Sequence, residues 1–212
     1  LRTLGTPSIY RKHASLYFQG EVPQFLVYVL DGVVKAYTIN AEGEETIVSL
    51  YGKGSVLPLA WVNGQAPTAL FNYEAVNDVR VLKVRKSDFE AALETPEFMR
   101  EYIDFLASSQ ASLLLRVTGL SQSRATEKIC YTLYYLMFRY GIEREDGMYE
   151  IDLKLTQGML ANLIGQTRES TAKNLKQLKE SGIIDYTSST YCVSKKKLEN
   201  FLGEDTFRNL EI

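Results

Sequence analysis

The stretch from Leu155 to Gly182 constrains this chain more than any other, because it prescribes two short helices joined by a forced tight turn. Thr156 is placed to cap a helix whose apolar face is Met159, Leu160, Leu163 and Ile164. Gly165 follows, a residue that enters left-handed backbone at little cost and so permits the turn. Thr167 then caps a second helix, with Leu175 and Leu178 facing inward and Gly182 at its C-terminal end. Ala161 and Ala172 are small where the two helices are expected to approach. This is the pattern of a helix-turn-helix.

The second helix carries Arg168, Glu169, Ser170, Thr171 and Lys173 in its first two turns, the part of a recognition helix that meets base edges. Arginine can donate two hydrogen bonds to guanine and a carboxylate can accept from cytosine, so Arg168 and Glu169 form a reading pair. Lys173 is expected to reach a base or a phosphate, Lys176 and Lys179 only backbone or solvent. Thr156, Gln166 and Thr167, at the helix starts, complete the DNA-binding candidates read from the residues, with Thr171 kept among them. Next, Ile183–Tyr186 and Tyr191–Ser194 flank Thr187-Ser188-Ser189-Thr190, which reads as a hairpin wing with a hydroxyl-rich tip suited to phosphate. The net charge of −2 does not oppose this reading, because residues 148–200 hold eight basic and six acidic side chains and the remainder is acidic.

Upstream the texture is different. Turn glycines recur at Gly20, Gly32, Gly43, Gly52/Gly54 and Gly64, and short strand-like runs lie between them. The runs are Phe25–Leu30, the alternating Val33, Lys35, Tyr37 and Ile39, Thr46–Leu50, Phe71–Val76 and Val79–Val84. Such spacing predicts an antiparallel sandwich or roll. Helical patterning begins near Asp88, with Ser87 as the expected cap of a helix to Leu93, and Thr95-Pro96 opens a long helix to about Gly119. Along it Met99, Ile103, Leu106, Gln110, Leu113, Val117 and Leu120 alternate in steps of four and three, the spacing of a coiled-coil seam and here a predicted homodimer contact. A second apolar line, Phe98, Tyr102, Phe105 and Leu114, is expected to pack on the β domain. A further helix spans about Arg124 to Tyr140, ended by Gly141, and a short strand covers Tyr149–Leu153. The expected class is α+β: a β-roll domain at 1–94, a dimerisation helix at 95–120 and a winged helix-turn-helix domain at 121–212.

A β-rich N-terminal half, a long helix and a C-terminal winged helix, in this order, resemble the Crp/Fnr (CAP-like) family of bacterial transcription regulators over nearly the whole chain. The most specific part is Leu155-Thr-Gln…Leu-Ala…Leu-Ile-Gly-Gln-Thr-Arg-Glu-Ser…Leu-Lys-Gln-Leu…Gly-Ile-Ile. Phe18-Gln-Gly-Glu21 and Val29-Leu-Asp-Gly-Val-Val-Lys35 are similar to the opening strands of the family's effector domain, a jelly-roll of the cyclic-nucleotide-binding type. The resemblance implies that Arg168, Glu169 and Lys173 are the main base-contacting positions and that Gln157 contacts the DNA backbone. It also implies a homodimer on a pseudo-palindromic duplex operator, RNA polymerase as a partner, and a cytoplasmic location.

Cyclic-nucleotide binders of that family carry a Gly-Glu-Leu segment for the ribose and an arginine for the cyclic phosphate. Here Gly54 is followed by Ser-Val-Leu-Pro, and no arginine lies between Trp61 and Asp78. A buried phosphate without a bidentate cation loses its strongest contacts, so regulation by cAMP or cGMP is the alternative rather than the main reading. The family's nucleotide-contacting positions on the long helix fall near Leu113 and Leu114. Lys53, Leu57, Trp61, Leu70, Tyr73 and Leu113 are the candidate lining of a pocket for an apolar or aromatic effector, and a filled core without effector is the equal alternative.

Catalysis is not expected. A cupin-like metalloenzyme, the remote alternative, needs converging histidines, and His13 is the single histidine of the chain. The acids Glu44-Glu45 read as a solvated hairpin, and Cys130 and Cys192 as reduced, apolar-type cysteines too few for an iron–sulfur cluster. No cofactor or metal is therefore expected, nor any membrane contact, since no apolar run reaches the roughly 18 residues of a spanning helix. Because the chain opens on Leu1 rather than Met, a short preceding segment is expected.

Overall fold

The computed structural model describes residues 4–203, and the chain divides into two compact units between Phe105 and Leu106, inside the long helix. The first unit is built from β1 (Thr6–Tyr10), β2 (Ser15–Tyr17), β3 (Leu26–Asp31), β4 (Val34–Ile39), β5 (Glu45–Tyr51), β6 (Val56–Leu57), α1 (Leu59–Val62), β7 (Asn72–Ala75), β8 (Val79–Val84) and α2 (Lys86–Leu93). Its strands form two antiparallel sheets, ordered β1-β8-β3-β6 and β2-β7-β4-β5. Alternate residues of both sheets point into one core, with Val27 and Val29, Val34 and Ala36, Tyr73 and Ala75, and Val79 and Val81 all buried there. At the β3–β4 turn Gly32 has φ +85°, and a Cβ there would lie 2.4 Å from the Asp78 carbonyl oxygen, so only glycine fits.

Three features of this unit were not expected from the sequence. The buried face of β4 is Val34 and Ala36, whereas Lys35 and Tyr37 are half-buried and Ile39 is exposed. Both faces of that run are partly apolar, so alternation alone could not fix the phase, and the register against β5 also shifts between Ala36 and Tyr37. Helix α2 begins at Lys86 with Arg85 as an N-cap lacking any side-chain bond, and Ser87 sits inside the first turn, donating to Asp88 at 3.4 Å. Strands β1 and β2 precede the first of the strand-like runs expected from the sequence. β1 is an edge strand held to β8 over Thr6–Tyr10, with residues mostly exposed, so its sequence carries little hydrophobic period.

Helix α3 (Pro96–Leu120) opens in the first unit and runs into the second, with Pro96 at its first position and the Thr95 carbonyl accepting from the Met99 N–H at 2.9 Å. The second unit continues with α4 (Ala125–Tyr140), β9 (Gly141–Glu143), β10 (Tyr149–Ile151), α5 (Gln157–Ile164), α6 (Arg168–Glu180), β11 (Ile184–Tyr186), β12 (Tyr191–Val193) and α7 (Lys195–Leu202). Its sheet is ordered β11-β12-β10-β9, and α4 packs against α5, α6 and α7. Ile129, Leu133, Leu136 and Met137 of α4 are wholly buried, as their helical spacing predicts. Gly141 ends α4 through close approach, for a Cβ there would meet the Met137 carbonyl at 2.3 Å. Strand β9 and helix α7 were not anticipated, being short and flanked by charged rather than apolar residues.

Candidate nucleic-acid interface

The two helices of the motif start and stop where their caps dictate. Thr156 Oγ1 accepts from the Met159 N–H at 3.2 Å, and Thr167 Oγ1 accepts from the Ser170 N–H, also at 3.2 Å. Between them Gly165 takes left-handed backbone, φ 63° and ψ 44°, which redirects the chain within the residues 165–167. Leu160, Ala161, Leu163 and Ile164 on α5, and Leu175 and Leu178 on α6, are buried. That packing leaves the opposite side of α6 to solvent.

Arg168, Glu169 and Lys173 all stand exposed there, and among the described residues none of the three makes an ion pair or a side-chain hydrogen bond. Gln166 is half-buried and Thr167 exposed. Thr171 has to be withdrawn from the candidates. It is wholly buried on the inner face and gives its hydroxyl to the Thr167 carbonyl at 2.9 Å, so it locks the first turn instead of facing outward. The four-residue helical spacing from Thr167 makes that bond, and reading the first two turns as a block hid it.

Thr156, Gln157 and Gly158 at the start of α5, Arg168 at the start of α6 and Ser188 at the wing tip border one open hollow. The starts of both helices border it, an arrangement that favours anions. The wing is fastened on each side. Thr187 N–H donates to the Thr190 carbonyl at 3.0 Å, Leu155 N–H to the Ser189 carbonyl at 2.9 Å, and Lys154 Nζ to Thr190 Oγ1 at 3.3 Å. Lys179 is tied in as well. Its ammonium lies 2.6 Å from Asp185 and over the Tyr186 ring, and this pairing raises the lysine's pKa and lowers that of the Asp185 carboxyl. Lys179 is thus a brace between α6 and β11, and Lys176 pairs with Glu180 at 3.9 Å along the helix. The bracing role of Lys154 went unread, since a lone lysine before a cap has no pattern to mark it.

The effector-pocket candidates do not converge. Leu57 and Tyr73 belong to the core between the sheets, Lys53 and Leu70 are exposed, and Trp61 is half-buried beneath the Lys86 ammonium at 5.1 Å. Leu113 falls in the other unit and is exposed. The interior between the two sheets holds packed rings: Tyr17 and Tyr51 lie 6.1 Å and 6.0 Å from Tyr73, and Tyr17 donates to the Phe25 carbonyl at 2.6 Å. Burial pushes the Tyr17 and Tyr73 phenols far above their ordinary pKa. Among the described residues of this unit, Ser55 is the one buried polar side chain other than tyrosine.

His13 is exposed and pairs with Glu74 at 3.1 Å, and no group of three metal-ligating side chains occurs among the described residues. Cys130 is buried, its thiol pushed up to about 12 by desolvation, while Cys192 accepts from Arg144 at 3.1 Å and neither forms a disulfide. Among the described residues no helix is long and apolar enough to cross a membrane.

Residues 8–95 match the model of the cyclic nucleotide-binding domain, and residues 127–201 match that of the Crp-like helix-turn-helix domain. The chain belongs to the Crp/Fnr family. It is 27% identical over 181 residues to the global nitrogen regulator of Synechocystis sp., covering 84% of this chain and 80% of that protein. To the nitrogen fixation regulation protein FixK of Azorhizobium caulinodans it is 27% identical over 191 residues, covering 88% and 74%. The fold is shared with FixK2 from Bradyrhizobium japonicum, with a TM-score of 0.76 at 23% identity and coverage of 92% and 96%. A Crp/Fnr chain with this C-terminal unit is a DNA-binding transcription regulator, built as α+β with antiparallel sheets, a long helix and a helix-turn-helix.

Proposed function

We propose that this Crp/Fnr regulator binds a pseudo-palindromic duplex as a homodimer and reads each half-site with Arg168, Glu169 and Lys173. The observation that carries this is the exposed, unpaired state of those three side chains in the first two turns of α6. Thr156, Gln157, Gln166 and Thr167, with Ser188 of the wing, contact phosphates around the hollow. Half-sites about one helical turn apart, ~34 Å, match two recognition helices related by a twofold axis.

The dimer seam is Met99, Ile103, Leu106, Gln110, Leu113 and Val117, continued by Leu120. Met99, Ile103, Leu113, Val117 and Leu120 are exposed apolar residues, a state that a helix partner relieves. In domain terms a roll at 1–94 acts as the sensor, the helix at 95–120 joins two copies, and 121–212 carries the DNA head. The protein works by binding and not by catalysis, in the cytoplasm, with RNA polymerase as the partner of the DNA-bound dimer. Its activity is constitutive or set by an effector other than a cyclic nucleotide, a reading that the ring-filled interior of the first unit supports.

Selection from a random duplex pool, then anisotropy titration at fixed salt, tests the reading. A palindromic consensus that Arg168→Ala binds with relaxed preference at one base per half-site is expected. Equal binding and preference by the variant, or a monomer by sedimentation at micromolar concentration, overturns it.

A further inference from the structure

The first unit holds a cleft walled by Tyr28 of β3, Phe89 of α2, and Phe98, Glu101, Tyr102 and Phe105 of α3. Tyr28 projects from the face of β3 opposite to Val27 and Val29, so the cleft is separate from the core between the sheets. Its rings are held in place. Phe89 is buried and meets Phe98 edge-on at 5.7 Å and Tyr102 edge-on at 5.1 Å, while Tyr102 and Phe105 stack at 6.0 Å. The Tyr102 hydroxyl is fixed by donation to Asn63 Oδ1 at 2.6 Å.

Two properties of this wall point the same way. Five aromatic rings line the cleft, and among the described residues no lysine or arginine sits over any of them. Glu101 brings a formal negative charge to the rim and makes no ion pair among the described residues. An acid beside rings that carry no cation of their own repels anions and gains from a cation that sheds its water easily, which an alkylated ammonium does. The cavity volume is about 260 Å³, below the usual range of drug-sized sites, so it suits a few-carbon molecule.

We propose that this cleft binds a small N-methylated organic cation, with the aromatic rings around the ammonium and the Glu101 carboxylate as its counter-charge. The site is independent of the DNA-reading surface, and its test requires no DNA. Isothermal calorimetry on the full chain would compare choline with its uncharged carbon isostere, in which a tert-butyl group replaces the trimethylammonium. Choline is expected to bind at millimolar or lower concentration and the isostere roughly tenfold more weakly. Glu101→Gln, at an exposed helix position that leaves the fold intact, should weaken choline by about threefold or more and leave the isostere unaffected. Phe105→Leu should weaken choline by a similar factor. Isostere binding equal to choline would mean a merely apolar cleft and overturns the proposal. So does the absence of heat from choline at millimolar concentration, or Glu101→Gln binding choline like the native protein.

Discussion

Between the two sheets of the first unit, Tyr17, Tyr51 and Tyr73 lie ring against ring, and the Tyr17 hydroxyl is spent on the Phe25 carbonyl. At the start of α6, Arg168, Glu169 and Lys173 stand in solvent with no partner among the described residues. Both regions belong to domains that family models name for ligands, a cyclic nucleotide in one and DNA in the other. The second leaves three charged side chains without partners among the described residues. A name attached to a fold therefore says less about binding than the count of polar groups left unsatisfied on it.

The largest effect that sharpens this contrast is expected from Tyr73→Ala. If the rings are structural, removing the central one costs about 3–5 kcal/mol of stability, read by urea denaturation. A cost near zero would mean a loose interior able to admit a guest, and the contrast would collapse. Next comes Arg168→Ala, expected to leave the denaturation midpoint unchanged while DNA affinity falls by about 1–3 kcal/mol at stated salt. A stability loss there would show Arg168 to be part of the scaffold. Thr167→Ala removes the cap seen on Ser170 and should lower stability by about 0.5–2 kcal/mol, with DNA affinity falling as the first turn frays. The smallest effect concerns the brace between α6 and β11. The Asp185 carboxyl is held below its ordinary value of 3.8, chiefly by its bond to Lys179, so its contribution is complete above that value. It is lost as pH falls through the lowered folded value. Asp185→Asn should flatten that part of an acid titration and shift neutral-pH stability little, because the pair is exposed.

What the sequence made legible follows the same division. The helix-turn-helix could be read because each of its devices is local: a threonine cap, a glycine turn and an inward leucine pair lie within a few residues of one another. Thr167 and Gly165 do what their types require. Thr171 was misassigned because its role depends on which side of α6 faces α5 and α4, a tertiary fact. The roll was legible as short strands between turn glycines, but its pocket was not. Leu57, Tyr73 and Trp61 lie close in sequence to a family ligand segment, yet strand alternation and the fold of the chain send them to different surroundings. The edge strand β1 escaped because pairing with β8 uses backbone groups that every sequence has. The aromatic wall of the cleft was visible only as the apolar line Phe98, Tyr102 and Phe105, whose partner Tyr28 is seventy residues away from Phe98 in the chain.

One contact within the second unit bears on how such a protein turns a signal into a change of address. Arg116, near the end of α3, is buried and donates to the Leu163 carbonyl at 3.1 Å, in the last turn of α5. Three residues on, Gly119 lies so close to Tyr131 of α4 that a Cβ would come within 2.6 Å of that side chain. Breaking the first contact takes a hydrogen bond from a buried guanidinium, and opening the second leaves a gap in close packing. The end of α3 therefore behaves as a gear keyed to its shaft: torque applied to that stretch of helix is delivered to α5 without slippage.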